Sequence, residues 1–275
     1  TFLYQPSRGA SLSQGKEAAL WLESGQMQPG EFLVLATMRG SEDRLSPIRK
    51  STPPLNDGDR PEKLETLMAG GPWQFPTKLV VPGRLGKPIT AGSPFVVDTL
   101  GVPFENPYNS VMQLTGIAFE PDGSALVSTL AGDVWKVTGI DESLQDVKWK
   151  RYATGFNQPI GIHIDGDGTF VLDRGQITRL HDFNGDDEVD YYENYANDFG
   201  GYDRSHSHTF GLHRTADGSF TFVQREDILR TGPDRMTRPL AWGVRNCMGV
   251  GGTDELAFVA PQEGPWTPAA MIIEV

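Results

Sequence analysis

Three segments of the 275-residue chain repeat one template: GIAFEPDGSALVS (116–128), GIHIDGDGTFVLD (161–173) and GLHRTADGSFTFV (211–223). Each opens on a glycine, reaches an Asp-Gly pair at a fixed offset (Asp122-Gly123, Asp167-Gly168, Asp217-Gly218) and closes on alternating apolar residues. Asp-Gly between alternating runs is the strongest short-range signal for a β-hairpin. A fourth copy, GVGGTDELAFVA (249–260), lacks one residue and the second glycine. Each of the first three copies is followed by another strand-like run with a basic residue: DVWKV with Lys136, QITRL with Arg179, DILRT with Arg230. The leading glycines Gly116, Gly161, Gly211 and Gly249 stand 45, 50 and 38 residues apart. Periods of about 40 to 50 residues, each holding three or four strands, predict the blades of a β-propeller. A β-sandwich with look-alike hairpins is the competing architecture, and four copies in phase favour the propeller. A closed ring takes about 4 to 8 blades. Four are visible, and the last runs out at Met271–Val275 in a strand-like stretch, so the ring is expected to be incomplete.

Composition agrees with an all-β fold. The 32 glycines and 20 prolines are too many turn formers for a helical bundle, while 38% apolar and 22% charged residues suffice for a packed core. The excess of 36 Asp+Glu over 24 Lys+Arg, a net charge of −12, argues against nucleic acid as a partner. Cys247 is the single cysteine, which excludes a disulfide framework, a Cys-rich zinc site and covalent c-type haem within this chain. No apolar run approaches the ~18 to 20 residues of a membrane span. The chain begins at Thr1 without a signal segment and reads as a processed secreted protein or as a piece of a longer one.

Residues 1–110 show no such period and are expected to form a small β-rich module ahead of blades in 111–275. Within it, 13–25 predicts a short helix, 31–40 a strand, and 78–86 and 93–100 short β-like runs. The Pro- and charge-rich stretch 41–62 predicts an exposed loop.

Three constellations could carry chemistry. In the loop DFNGDDEVDYYE, oxygen-bearing side chains fall at positions 1, 3, 5, 9 and 12: Asp182, Asn184, Asp186, Asp190 and Glu193. Glu188 at position 7 would offer its backbone carbonyl. This alternation is that of a calcium loop, which gathers 6 to 8 hard oxygens. It departs from the pattern at Asp187, where a glycine normally permits the sharp turn. The competing reading is a solvated acidic turn whose carboxylates bond to backbone amides. The second constellation is Gly243-Val244-Arg245-Asn246-Cys247-Met248-Gly249, which occupies the repeat position of Gly155–Gly161. Both segments lead into the innermost strand of a blade, so they should converge at one mouth of the channel. A blade-to-blade turn whose polar side chains satisfy nearby carbonyls is the plainer reading. The third is His206 and His208, which precede the inner strand of the third repeat and, two apart, share a face if extended. They could bind a transition metal or simply sit in a polar loop.

The segments 94–110, 132–141, 177–195 and 263–275 resemble large propeller proteins of planctomycetes and verrucomicrobia. That group is similar to soluble quinoprotein glucose/sorbosone dehydrogenases and is commonly joined to a c-type haem domain. The resemblance spans most of 70–275. It implies a periplasmic or extracellular protein that oxidises a sugar or other small alcohol with bound pyrroloquinoline quinone (PQQ). Electrons would pass to a haem-carrying partner. Gly243–Gly249 resembles the G-x-R-N-P-x-G segment of those enzymes, with Cys247 in place of proline. This implies Arg245 on the quinone, Asn246 as a polar orienter, and His206 or His208 as the base. Against this stands a non-catalytic propeller that serves as a binding or assembly module, completed by further blades from elsewhere. A third reading, glycoside hydrolysis, would require two facing carboxylates about 5 to 9.5 Å apart.

Overall fold

The computed structural model describes residues 69, 71–87, 95–201, 208–264 and 269–275, and the backbone of four short strands nearer the N-terminus. The chain divides into two compact units at Leu67/Met68. In the first, β1 (Phe2–Tyr4) pairs with β4 (Leu35–Thr37), and β2 (Ser11–Gln14) pairs with β3 (Leu20–Glu23), both antiparallel. The helix expected over 13–25 is therefore replaced by strand pairing that sets Leu12 opposite Leu22, while the strand expected over 31–40 is present as β4. The stretch 41–62 lies outside the described residues. The boundary also falls earlier than residue 110, because β5 (Lys78–Val80) and the segment up to Met112 belong with the blades.

The second unit is an all-β propeller arrangement of four blades. Blade 1 contains β6 (Leu114–Phe119), β7 (Ala125–Thr129), β8 (Asp133–Thr138) and β9 (Lys148–Thr154), with β5 added at its outer edge. Blade 2 is β10 (Gly161–Asp165), β11 (Gly168–Leu172), β12 (Ile177–His181) and β13 (Tyr191–Ala196). Blade 3 is β14 (Thr209–Arg214), β15 (Phe220–Gln224), β16 (Asp227–Thr231) and β17 (Thr237–Trp242). Blade 4 is β18 (Gly249–Gly252), β19 (Ala257–Ala260) and β20 (Ile273–Glu274). Each blade is an antiparallel meander in sequence order, and the first strands pack in succession, β6 on β10, β10 on β14 and β14 on β18. This is the radial stacking that the repeat predicts. The described part of the run 93–100, residues 95–100, forms no extended strand; its ladder contact is a single bridge, Arg84 to Thr99.

The repeat glycines mark where neighbouring blades meet. A Cβ on Gly161 would overlap the carbonyl of Gly211 in the next blade, so the inner strands approach as closely as backbone allows. Apolar layers fill the space further out. Leu126, Val134 and Ala153 of blade 1 meet Ile162, Val171 and Leu180 of blade 2. Phe170, Leu172 and Ile177 of blade 2 meet Phe220, Phe222 and Leu229 of blade 3. Val223 and Ile228 of blade 3 meet Val250, Val259 and Cys247. Each contact buries several large side chains, at about 1.5 to 3 kcal/mol per side chain.

Charged clamps tie the blades at their rims. Arg214 of blade 3 reaches Asp165 and Asp167 of blade 2, both at 2.7 Å, and lies over the Phe170 and Phe220 rings. Lys136 of blade 1 pairs with Asp187 of blade 2 at 2.8 Å and with Glu120 at 3.0 Å. The basic residue of each repeat also secures its own hairpin. Lys136 bonds Glu120 beside the first Asp-Gly turn, Arg179 donates to the Asp167 carbonyl, and Arg230 pairs with Asp217.

Candidate functional site

The lead-in segments Gly155–Gly161 and Gly243–Gly249 share a backbone as well as a repeat position. Gly155 and Gly243 have φ of 97° and 95°, and Gln158 and Asn246, three residues on, have 55° and 37°. Ile160 N–H donates to Leu172 O at 3.2 Å, and Met248 N–H donates to Ala260 O at 3.1 Å. A left-handed residue is needed at Asn246, and asparagine tolerates that conformation better than most side chains. Backbone geometry thus accounts for part of the Arg-Asn motif.

These lead-ins converge on one mouth of the channel around a cavity of about 410 Å³. Gln113, Leu114 and Thr115 line it from blade 1, Ile160 from blade 2, and His208 and Phe210 from blade 3; Asn246, Met248 and Gln262 come from blade 4. His208 and Phe210, two apart, meet edge to face with centroids 5.7 Å apart. The lining combines three carboxamides, a hydroxyl and an imidazole with apolar walls. Among its described residues there is no Lys, Arg, Asp or Glu.

The structure therefore brings His208 and Asn246 together and leaves Arg245 out. Arg245 is exposed and turns to the 262–264 segment, where its Nη1 donates to Glu263 O at 2.6 Å and its own carbonyl accepts from Gln262 N. Its neighbour Asn246, in the left-handed conformation, lines the cavity instead. His206 lies outside the described residues. Pyrroloquinoline quinone carries several carboxylates, and burying such an anion requires cationic partners. The described lining supplies none, so these residues do not fit that cofactor. Cys247, in the place of the proline, is fully buried under blade 4, and burial pushes its thiol up to about 11. It is a core residue, not a nucleophile.

The acidic loop between β12 and β13 is stitched to the backbone. Asp182 accepts from the amides of Gly185 (2.7 Å), Asp186 (3.2 Å) and Asp187 (3.0 Å). Asn184 Oδ1 accepts from Asp186 N, and Asp186 Oδ1 from Glu188 N. Asp190 accepts from Phe183 N at 2.8 Å and from Gly71 N at 3.2 Å. Asp187 takes the sharp turn with φ of 65°, as the calcium pattern demands of its sixth position. One of the expected side-chain ligands, Glu193, is committed elsewhere. Glu193 pairs with His181 at 2.8 Å and Arg235 at 2.7 Å, and its carboxyl is held below the ordinary range by these partners against a desolvation penalty. Glu188 points its side chain inward, accepting from Gln74 N at 2.7 Å and Phe75 N at 2.9 Å and pairing with Lys150 at 3.3 Å. Lys150 in turn donates to the carbonyls of Asp186 and Asp187. Among the described residues no three His, Cys, Asp or Glu side chains form a group able to hold a metal ion. This arrangement fits the backbone-bonded turn. Lys150, which the sequence reading missed, is the residue that fixes it.

At the opposite mouth, a second cavity of about 330 Å³ is lined by His163, Asp165, Asp167, Arg214 and Asp254. His163 Nε2 lies 3.1 Å from Asp165 Oδ2 and edge-on to Phe220. Burial lowers its pKa below the ordinary imidazole value, outweighing the opposing effect of Asp165. Arg214 neutralises the two carboxylates, so this cluster reads as the blade 2–3 clamp.

No protein-family model and no curated protein matches the sequence. Among solved structures, the chain is similar to virginiamycin B lyase from Staphylococcus aureus at 13% identity, over 72% of this chain and 73% of that one, with a TM-score of 0.41. A catalytically inactive form of that lyase with quinupristin gives 12% identity, the same coverage and a TM-score of 0.42. A streptogramin B lyase structure gives 13% identity over 67% and 59% of the two chains, with a TM-score of 0.41.

Proposed function

We propose that the chain is a propeller module that binds a neutral, polyhydroxylated small molecule, a sugar or sugar-like alcohol, at the 410 Å³ mouth. The observation that carries this reading is the lining itself: Gln113, Asn246 and Gln262 beside Phe210 and His208, with no charged carboxylate or cation among the described residues. Carboxamides both donate and accept, which matches a ring of hydroxyls. The aromatic face and the aliphatic walls suit the C–H faces of a sugar. Glycoside hydrolysis needs a carboxylate pair, and the described lining offers no carboxylate. The dehydrogenase reading rests on His208, whose imidazole could take a hydroxyl proton near neutral pH.

Titration calorimetry against a panel of neutral mono- and disaccharides tests the binding reading. Binding of one class, weakened at least tenfold by Asn246→Ala and by Phe210→Ala, is expected. Heats indistinguishable from dilution across the panel would reject it. Turnover with an artificial electron acceptor, dependent on added PQQ and lost in His208→Ala, would transfer the site to the dehydrogenase reading.

A further inference from the structure

The interface between successive blades is used three times within the chain, and each of its two halves also occurs once more with no blade against it among the described residues. One half is on blade 1. Ala118 of β6 packs toward blade 2, so its neighbours Ile117 and Phe119 point to the opposite face, where they are 51% and 59% exposed. The equivalent face of blade 2 carries Ile162 and Ile164 packed against blade 1. The outer part of this blade 1 face is covered by the chain's own 100–112 segment, which packs on Trp135 and Trp149. The inner part remains an apolar groove of about 340 Å³, lined by Leu114, Ile117, Val127 and Trp149 among others.

The other half is on blade 4. Val250, Val259 and Ile273 pack on blade 3, so Gly249, Gly251, Phe258 and Ile272 face away from it. Gly249 is the repeat partner of Gly161, the residue that admits the backbone of the following blade. Here nothing lies within 4 Å of a Cβ placed on Gly251, and Ile272 is 77% exposed. Glycine on an inner strand costs stability relative to a side chain that packs. Its recurrence on a face without a neighbour is explained if another blade sits there. No packing comparable to that of the other inner strands joins β18 to β6 among the described residues.

We infer that two copies of the chain associate head to tail, blade 4 of each against blade 1 of the other, and close one ring of eight blades around a two-fold axis. The two open faces are complementary because each is the missing half of the contact that the chain already makes internally. Both must be filled together, which a pair of four-blade arcs does within the ~4 to 8 blades that such rings hold. The inference does not depend on the ligand proposed for the channel mouth.

Sedimentation velocity of the 275-residue chain should give twice 30.2 kDa at micromolar concentration. Ile117→Arg and Ile272→Arg should each reduce it to a monomer with an unchanged β-sheet circular dichroism spectrum. In a chain carrying both Ile117→Cys and Ile272→Cys, oxidation should yield a covalent dimer, and either cysteine alone should not. A monomer at all concentrations would overturn the inference, as would self-crosslinking of Ile272→Cys alone. A mass that climbs past two copies would overturn the closed ring, because it would mean a head-to-tail contact that does not close.

Discussion

Lys150 and Glu188 are 3% and 7% exposed, and everything around them depends on their staying paired. The carboxylate holds two amides of the 74–75 segment while the ammonium holds two carbonyls of the acidic loop. Removing one charge from such a pair strands the other in a dry site. Glu188→Gln should therefore cost about 3 kcal/mol in urea unfolding, at the lower end for broken buried pairs. Added calcium should leave the wild-type melting temperature unchanged; a calcium-dependent rise would restore the metal loop. His163 gives a pH test. Its folded pKa lies below the ~6.5 of an unfolded histidine because burial disfavours the cation. Its contribution to stability is thus full above about pH 6.5 and is lost as pH falls toward the folded pKa. The groups facing it are Asp165, Arg214 and His213. An NMR titration of His163 should show a midpoint below 6.5, and a midpoint above that value would contradict the assigned burial.

The hairpins look alike in sequence and differ by one residue in space. Blades 1 and 3 close through three residues, Pro121–Gly123 and Ala216–Gly218, whereas in blade 2 Asp165 pairs with Gly168 across only Gly166 and Asp167. A shift of one residue sends a strand's side chains to the other face. Phe170 consequently faces blade 3, while Ala125 and Phe220 at the same repeat position face backward. The existence and order of the strands were legible in the Asp-Gly pairs and the alternation that follows them. Which face each side chain buries was not, because turn length is decided by ladder pairing. The close approach at Gly161 supplies the prediction for this scale. Gly161→Ala should lose about 1 to 3 kcal/mol in thermal or urea unfolding, the range for overpacking a tight contact. A neutral substitution would show that the β10–β14 spacing is looser than described.

Across the whole molecule, the candidate site exists because four lead-in segments from distant parts of the sequence share one channel mouth. The equivalence of Gly155–Gly161 and Gly243–Gly249 could be read from spacing, and of the residues it sent to one mouth, Asn246 and His208 line the cavity. It could not separate Asn246 from Arg245, whose guanidinium is drawn outward by the Glu263 carbonyl. Nor could it foresee that a lysine 38 residues before Glu188 pairs with that carboxylate and holds the acidic loop's carbonyls. The sequence by itself determined the strand repeat, the blade count and the glycines where blades meet. All of these are local periodicities enforced by backbone sterics. Tertiary structure alone decided which polar side chains line the cavity and which are consumed as clamps. A side chain's direction and partners depend on ladder register and on neighbours far away in the chain, and neither is written in local spacing.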